Sequence, residues 1–266
     1  MGPLRLYARY AAVSIRSQMQ YRASFIMLSL STFAITGVEF VAIWVMFDRF
    51  GSLQGWRLAE VALFYGTINA AFAIAESTAR GFDTFSELIK GGGFDIILLR
   101  PRSAALQVAA RELHAVRIGR LLQAAVILVW ASVALDISWT VPKGALLIAT
   151  ILGGVCLFYG LLILQATLCF WTTESLEVLN TVTYGGIETA QYPLSIYRPW
   201  FRRFFTAVIP LACVSYYPLL RVLDRPAPAG SAAWFGWVSP IVGGAFLALS
   251  LRVWRVGVQH YTSTGS

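Results

Sequence analysis

From Ala23 to Phe47 the chain reads ASFIMLSLSTFAITGVEFVAIWVMF, with Glu39 as its one charge. A run that long and that apolar matches the hydrocarbon thickness of a bilayer when wound as a helix. Lipid offers the backbone no hydrogen-bond partners, so helix is the form that such a run must take. Similar runs recur at Leu58 to Ser77, Leu121 to Leu135, Ala145 to Trp171 and Trp237 to Trp254. With 266 residues, 58% of them hydrophobic and 13% charged, the chain departs far from a soluble domain. It predicts an all-α integral membrane protein, one domain over 1–266 with room for about six spans. Gly153 and Gly154 inside the fourth run permit close helix approach.

The segment ESLEVLNTVTYGGIETAQYPLS is more polar, but its polar residues fall on one face, which predicts a fifth span packed within a bundle. Pro210 and Pro218 then break an apolar run, so residues 196–223 are expected to form an external re-entrant hairpin between spans five and six. At the start, Arg5, Arg9, Arg16 and Arg22 alternate with Leu, Tyr and Ile, predicting an interfacial amphipathic helix over 1–22. It leads into an apolar run too long for a signal-peptide core, so a retained anchor is expected.

The formal net charge is +8, yet the Lys and Arg residues cluster at the ends of apolar runs instead of along one stripe. Anionic lipid, and not nucleic acid, is the expected partner of that charge. The N-terminal segment, the 78–120 loop and the tail hold most of it, which orients both termini to the cytoplasm. Arg198, Arg202 and Arg203 of RPWFRR then fall on the outer side. A five-span topology with that cluster inside is the alternative. Cys156, Cys169 and Cys213 show no CxxC spacing and read as buried thiols.

Between spans two and three lies FDTFSELIKGGGFDIILLRPRS. Phe82, Phe85, Leu88 and Ile89 recur at helical spacing against Asp83, Glu87 and Lys90, predicting a short amphipathic helix that Gly91, Gly92 and Gly93 stop. Phe94, Asp95 and a second apolar run follow. Such a module either tidies a loop at the headgroups or docks a cytoplasmic partner. Two polar stripes run at membrane depth. Thr32, Thr36 and Glu39 share a face of span one, and Glu177, Thr181, Tyr184, Glu188 and Gln191 share a face of span five. A carboxylate there must face protein or water, so the stripes are either buried helix-to-helix glue or the wall of a pathway for cationic cargo. Glu76 and Arg80, four residues apart, are expected to form a local ion pair. Arg111, Glu112, His114 and Arg117 are expected to form a solvated or headgroup-facing helix surface.

The module's ELIKGGGFDIILLRPRS, the segment from FWTTESLEVLNTVTYGGIETAQ to CVSYYP and the ending WRVGVQHYTSTGS together resemble type-2 ABC transporter permeases, in particular a bacterial branch of small six-span subunits. The resemblance covers nearly the whole chain. It implies a cytoplasmic coupling helix at 82–99 seated on a separate ABC ATPase, with Phe82, Phe85, Glu87, Leu88, Gly91, Gly92, Gly93, Phe94 and Asp95 as its elements. It also implies a second permease, usually a different paralogous chain, beside a dimer of ATPases that hold ATP and Mg. Described relatives export drugs or viologen-like cations from the bacterial inner membrane.

No G-x-x-x-x-G-K-[ST] occurs in the chain, so it binds no nucleotide in the usual way and energy must come from elsewhere. No nucleophile stands with a base at membrane depth, which argues against an enzyme. Two functions remain open at this point: the permease subunit of an ATP-driven exporter, and a stand-alone proton-coupled carrier using Glu39 and Glu188.

Overall fold

The computed structural model describes residues 3–171, 176–226, 232 and 234–262, with backbone alone at 3, 4, 6, 8, 176–180 and 182. Five helical stretches are long and apolar enough to cross a membrane: Arg9–Phe50, Leu58–Lys90, Ala115–Ala134, Val141–Leu168 and Ile241–Gln259. The first comprises α1 (Pro3–Gln18) and α2 (Arg22–Phe50), separated at Tyr21, whose φ of −107° and ψ of 68° leave the helical region. The second is α3 (Leu58–Asp83) followed by α4 (Phe85–Lys90). Then come α5 (Gly93–Leu98), α6 (Ala104–Arg111), α7 (Ile118–Ala134) and α8 (Val141–Leu168).

Of the following elements, α9 (Leu176–Ala190) precedes α10 (Pro199–Ala207), α11 (Leu211–Val214) and α12 (Tyr216–Val222). The chain closes with α13 (Phe235–Val238) and α14 (Ile241–Gln259).

Contacts between distant loops define the two ends of the bundle. At one end the Trp56 indole donates to Ser195 Oγ (3.0 Å). There Arg225 stacks over the Trp56 ring at 4.0 Å and pairs with Glu60 at 2.8 Å, and Lys143 meets Asp224 at 2.5 Å. At the other end Tyr7 donates to the Thr78 carbonyl (3.2 Å), Gln18 to that of Leu113, and the rings of Phe94 and Tyr261 lie 5.0 Å apart. Residues 195 and 225 both sit at the first end, so α10 to α12 enter and leave on the same side. Their two arms are bent by 74°, and a re-entrant hairpin follows from the connectivity. By the same connectivity α9 carries the chain from the α8 terminus back to the hairpin end. At 15 residues it is short for a span and stands outside the five long apolar stretches.

The bundle is drawn together around α3, which is buried along nearly its whole length because α7 and α8 flank it. Elsewhere glycines set the approach. A Cβ on Gly119 of α7 would stand 1.9 Å from the Ser29 carbonyl oxygen of α2, and one on Gly81 of α3 1.8 Å from that of Val108 in α6. Gly153 of α8 and Gly243 of α14 face each other, and a Cβ on Gly243 would fall 2.0 Å from the Gly153 oxygen. Gly243→Ala is therefore expected to force α14 off α8 and cost about 1–3 kcal/mol, read as a lower thermal midpoint in detergent. Gly244→Ala, with open space around its Cβ, is the matched control.

Candidate functional site

The first candidate region is the module at 82–99. It contains two short helices: α4 ends at Lys90, Gly92 takes a left-handed φ of +65°, and Gly93 opens α5. Gly91 and Gly92 thus form the turn, while Gly93 begins the second helix where a stop was expected. Asp95 lies in the first turn of α5 and is half-buried.

The module's apolar residues do not face outward. Phe82, Phe85 and Phe94 are fully buried and Leu88 nearly so. The Phe85 ring sits 5.0 Å from Phe94, 5.3 Å from Phe170 and 5.0 Å from Trp254, with Phe82 and Trp254 5.3 Å apart. Helical periodicity correctly grouped these residues on one face, but α8 and α14 of the same chain cover that face. Phe82, Phe85, Leu88 and Phe94 thus lie against the chain's own helices and not at its surface. The module exposes Glu87, Lys90, Gly91, Ile96, Leu98 and Leu99.

The second region is a polar seam at membrane depth. Three helices meet at the Thr36 carbonyl of α2, which accepts from Tyr65 Oη of α3 (2.8 Å) and Gln123 Nε2 of α7 (3.2 Å). Tyr65 Oη also lies 3.4 Å from Glu39 Oε2. One turn further along, Arg120 of α7 donates to Asn69 Oδ1 (2.8 Å) and stacks over the Phe72 ring at 5.0 Å. Phe72 in turn contacts Tyr184 of α9 edge-on, 5.8 Å between centroids. Glu188 is within electrostatic reach of both Glu39 and Arg120.

The stripes expected on spans one and five are thus placed side by side. Thr36 and Gln191 turn inward and are buried, Thr32 is half-buried, and Glu39, Thr181, Tyr184 and Glu188 are exposed on the flank of the chain. Glu177 lies outside the residues whose side chains are described.

Deeper toward the module, the ion pairing differs from expectation. Glu76 is buried and pairs with Arg117 (2.6 Å) and Arg120 (3.8 Å), while Arg80 pairs with Asp83. The reason is burial. A local pair between exposed groups is worth a few tenths of a kcal/mol, whereas a carboxylate inside the bundle takes whichever guanidiniums reach it. Arg117 is accordingly a bridge between α3 and the start of α7 and not a headgroup-facing residue. Nearby, His114 donates its backbone N–H to the Ser77 carbonyl (3.0 Å). Burial first, then the Arg80 and Arg117 charges, hold its imidazole below the usual range.

Tyr65, Asn69, Glu76, Arg120 and Gln123 escaped sequence reasoning as seam residues. The signal was present: 65, 69, 72 and 76 on α3, and 117, 120 and 123 from the N-cap of α7 onward, recur at the same three- and four-residue steps that marked spans one and five.

A helical bundle with five long apolar helices and a re-entrant hairpin defines a multi-pass membrane protein. The model of the family described as ABC-2 family transporter protein matches residues 33–265, so the chain belongs to that family, the membrane component of ABC transporters. No curated protein and no solved structure matches it. Members of this family form the non-catalytic membrane part of machines that work with an ABC ATPase.

Proposed function

We propose that this chain is one half of the translocation pathway of an ATP-driven exporter. The observation that carries this reading is the exposure of Glu39, Tyr184 and Glu188 at membrane depth. Carboxylates facing hydrocarbon cost at least a few kcal/mol, so this flank calls for a second membrane subunit and a polar space between the two. A different paralogous permease is the partner, with a dimer of ABC ATPases binding ATP and Mg at the module end. The 13 Lys and Arg residues that lie toward that end, against eight toward the hairpin end, support a cytoplasmic module with both termini inside and an external hairpin. The membrane is the bacterial inner membrane.

The ATPase is met by the polar rim of the module, Glu87, Lys90 and Gly91, with Ile96, Leu98 and Leu99. The buried aromatic cluster beneath stiffens that rim, so displacement passes to α3, α8 and α14 instead of being absorbed by a loop. Cargo is hydrophobic and cationic: carboxylates attract the charge, and Tyr184 offers a ring face.

Glu39→Ala combined with Glu188→Ala is expected to lower export of cationic compounds about tenfold at unchanged folding, measured in vesicles holding the complete complex. Unchanged export of every cation tested would remove the cargo assignment. Copurification of an ATPase with the chain tests the assembly itself, and transport that follows a proton gradient with no ATPase present would replace it.

A further inference from the structure

RPWFRR is the sequence motif that the seam and the module leave unexplained. It forms the start of α10 in the re-entrant hairpin. Arg198, Arg202 and Arg203 are all exposed, and no carboxylate among the described residues pairs with any of them. Two other cations at this end do pair, Arg225 with Glu60 and Lys143 with Asp224.

The two unpaired arginines that follow Pro199 in the first turns of α10 border a cavity of about 400 Å³, lined also by Thr206, Tyr216 and Tyr217. Thr206 already donates its hydroxyl to the Arg202 carbonyl (2.7 Å), so the guanidiniums and tyrosine hydroxyls are the donors that remain. Beside the cavity, Trp200, Phe204 and Val208 recur every four residues along α10 and are 66%, 36% and 60% exposed, giving an apolar ridge parallel to the basic face. A basic pocket alone suits any phosphate. A basic pocket with an apolar ridge along the same helix suits an amphiphile.

We propose that this cavity binds the phosphate headgroup of an anionic phospholipid, whose acyl chains lie along Trp200, Phe204 and Val208. Guanidiniums take phosphate oxygens in bidentate fashion, which explains why cations stand unpaired at an end where the overall charge bias disfavours them. The volume accommodates a headgroup and not a whole lipid. The proposal is independent of the cargo and ATPase assignments, and its test uses no nucleotide.

The test places the full chain in nanodiscs of mixed phosphatidylglycerol and phosphatidylcholine, re-extracts it and measures the retained lipid ratio by mass spectrometry. Wild type is expected to enrich phosphatidylglycerol over the bulk. R202Q/R203Q is expected to lower that enrichment about tenfold, as is Thr206→Trp, which fills the cavity and leaves the charge intact. R49Q removes an exposed arginine outside the cavity and is expected to leave the ratio unchanged. Wild-type enrichment in both cavity variants would overturn the proposal. So would equal loss in R49Q, which would mean general charge attraction. Absence of wild-type enrichment, with inorganic phosphate alone binding the cavity, would also overturn it by assigning the cavity to a soluble phosphate.

Discussion

Phe85→Asp is expected to abolish accumulation of folded protein. The side chain is fully buried among Phe94, Phe170 and Trp254, and a carboxylate placed there meets no cation among those three rings. The aromatic transfer and ring contacts are lost, about 3–5 kcal/mol for truncation alone, and desolvation of an unpaired charge adds several more. Set against a total stability of about 5–15 kcal/mol for a typical domain, the sum unfolds this end of the bundle.

The measurement is the monodisperse fraction on size exclusion in mild detergent, with Phe85→Leu as the conservative partner retaining most of it. Lys90→Asp, on the exposed rim, is expected to leave folding intact and to act through the ATPase. Were Phe85 a docking side chain, the outcome would reverse: Phe85→Asp would purify normally and lose nucleotide-coupled transport alone.

That contrast indicates what could be read from the amino-acid order and what could not. Spans were legible because lipid imposes length and apolarity on each helix separately. Their ends were not, because local polar chemistry sets them. Thr140 is the N-cap of α8, accepting from the Lys143 amide (3.5 Å), with proline in the first turn, so the helix begins at Val141, ahead of its apolar run. α3 continues through Ser77 to Asp83 because its polar last turn is enclosed by α6 and α8.

In the module, the spacing of Phe82, Phe85 and Leu88 identified a face but not its covering. Which surface lies against a face is decided by residues far away in the chain, here Phe170 and Trp254. The seam shows the same division. Stripes at Thr36 to Glu39 and Tyr184 to Gln191 were visible as periodicity. Their meeting with Arg120, and the choice of Arg117 over Arg80 by Glu76, arise from helix packing that no single segment encodes.

Glu76→Ala is the second substitution with a large expected effect. Glu76 is 3% exposed and faces Arg117 and Arg120, whose own side chains lie against the bundle. Removing the carboxylate leaves two guanidiniums partly desolvated and repelling each other between α3 and α7, and breaking a buried pair in this way costs about 3–5 kcal/mol. Arg120 keeps its bond to Asn69 and its place over Phe72, whereas Arg117 loses its one close ionic partner and should swing toward solvent.

The double variant Glu76→Gln with Arg117→Gln removes one charge of each sign and is expected to recover much of the lost stability, so a thermal-melt double-mutant cycle should report a coupling of about 1–3 kcal/mol. Glu76 and Arg117 join the module end of α3 to the first turn of α7, the helix that carries Arg120 and Gln123 into the seam. A coupling in that range would therefore show that the module end of α3 and the helix carrying the seam residues are held together by this pair. Additive single and double variants would mean that α3 and α7 are held by packing alone.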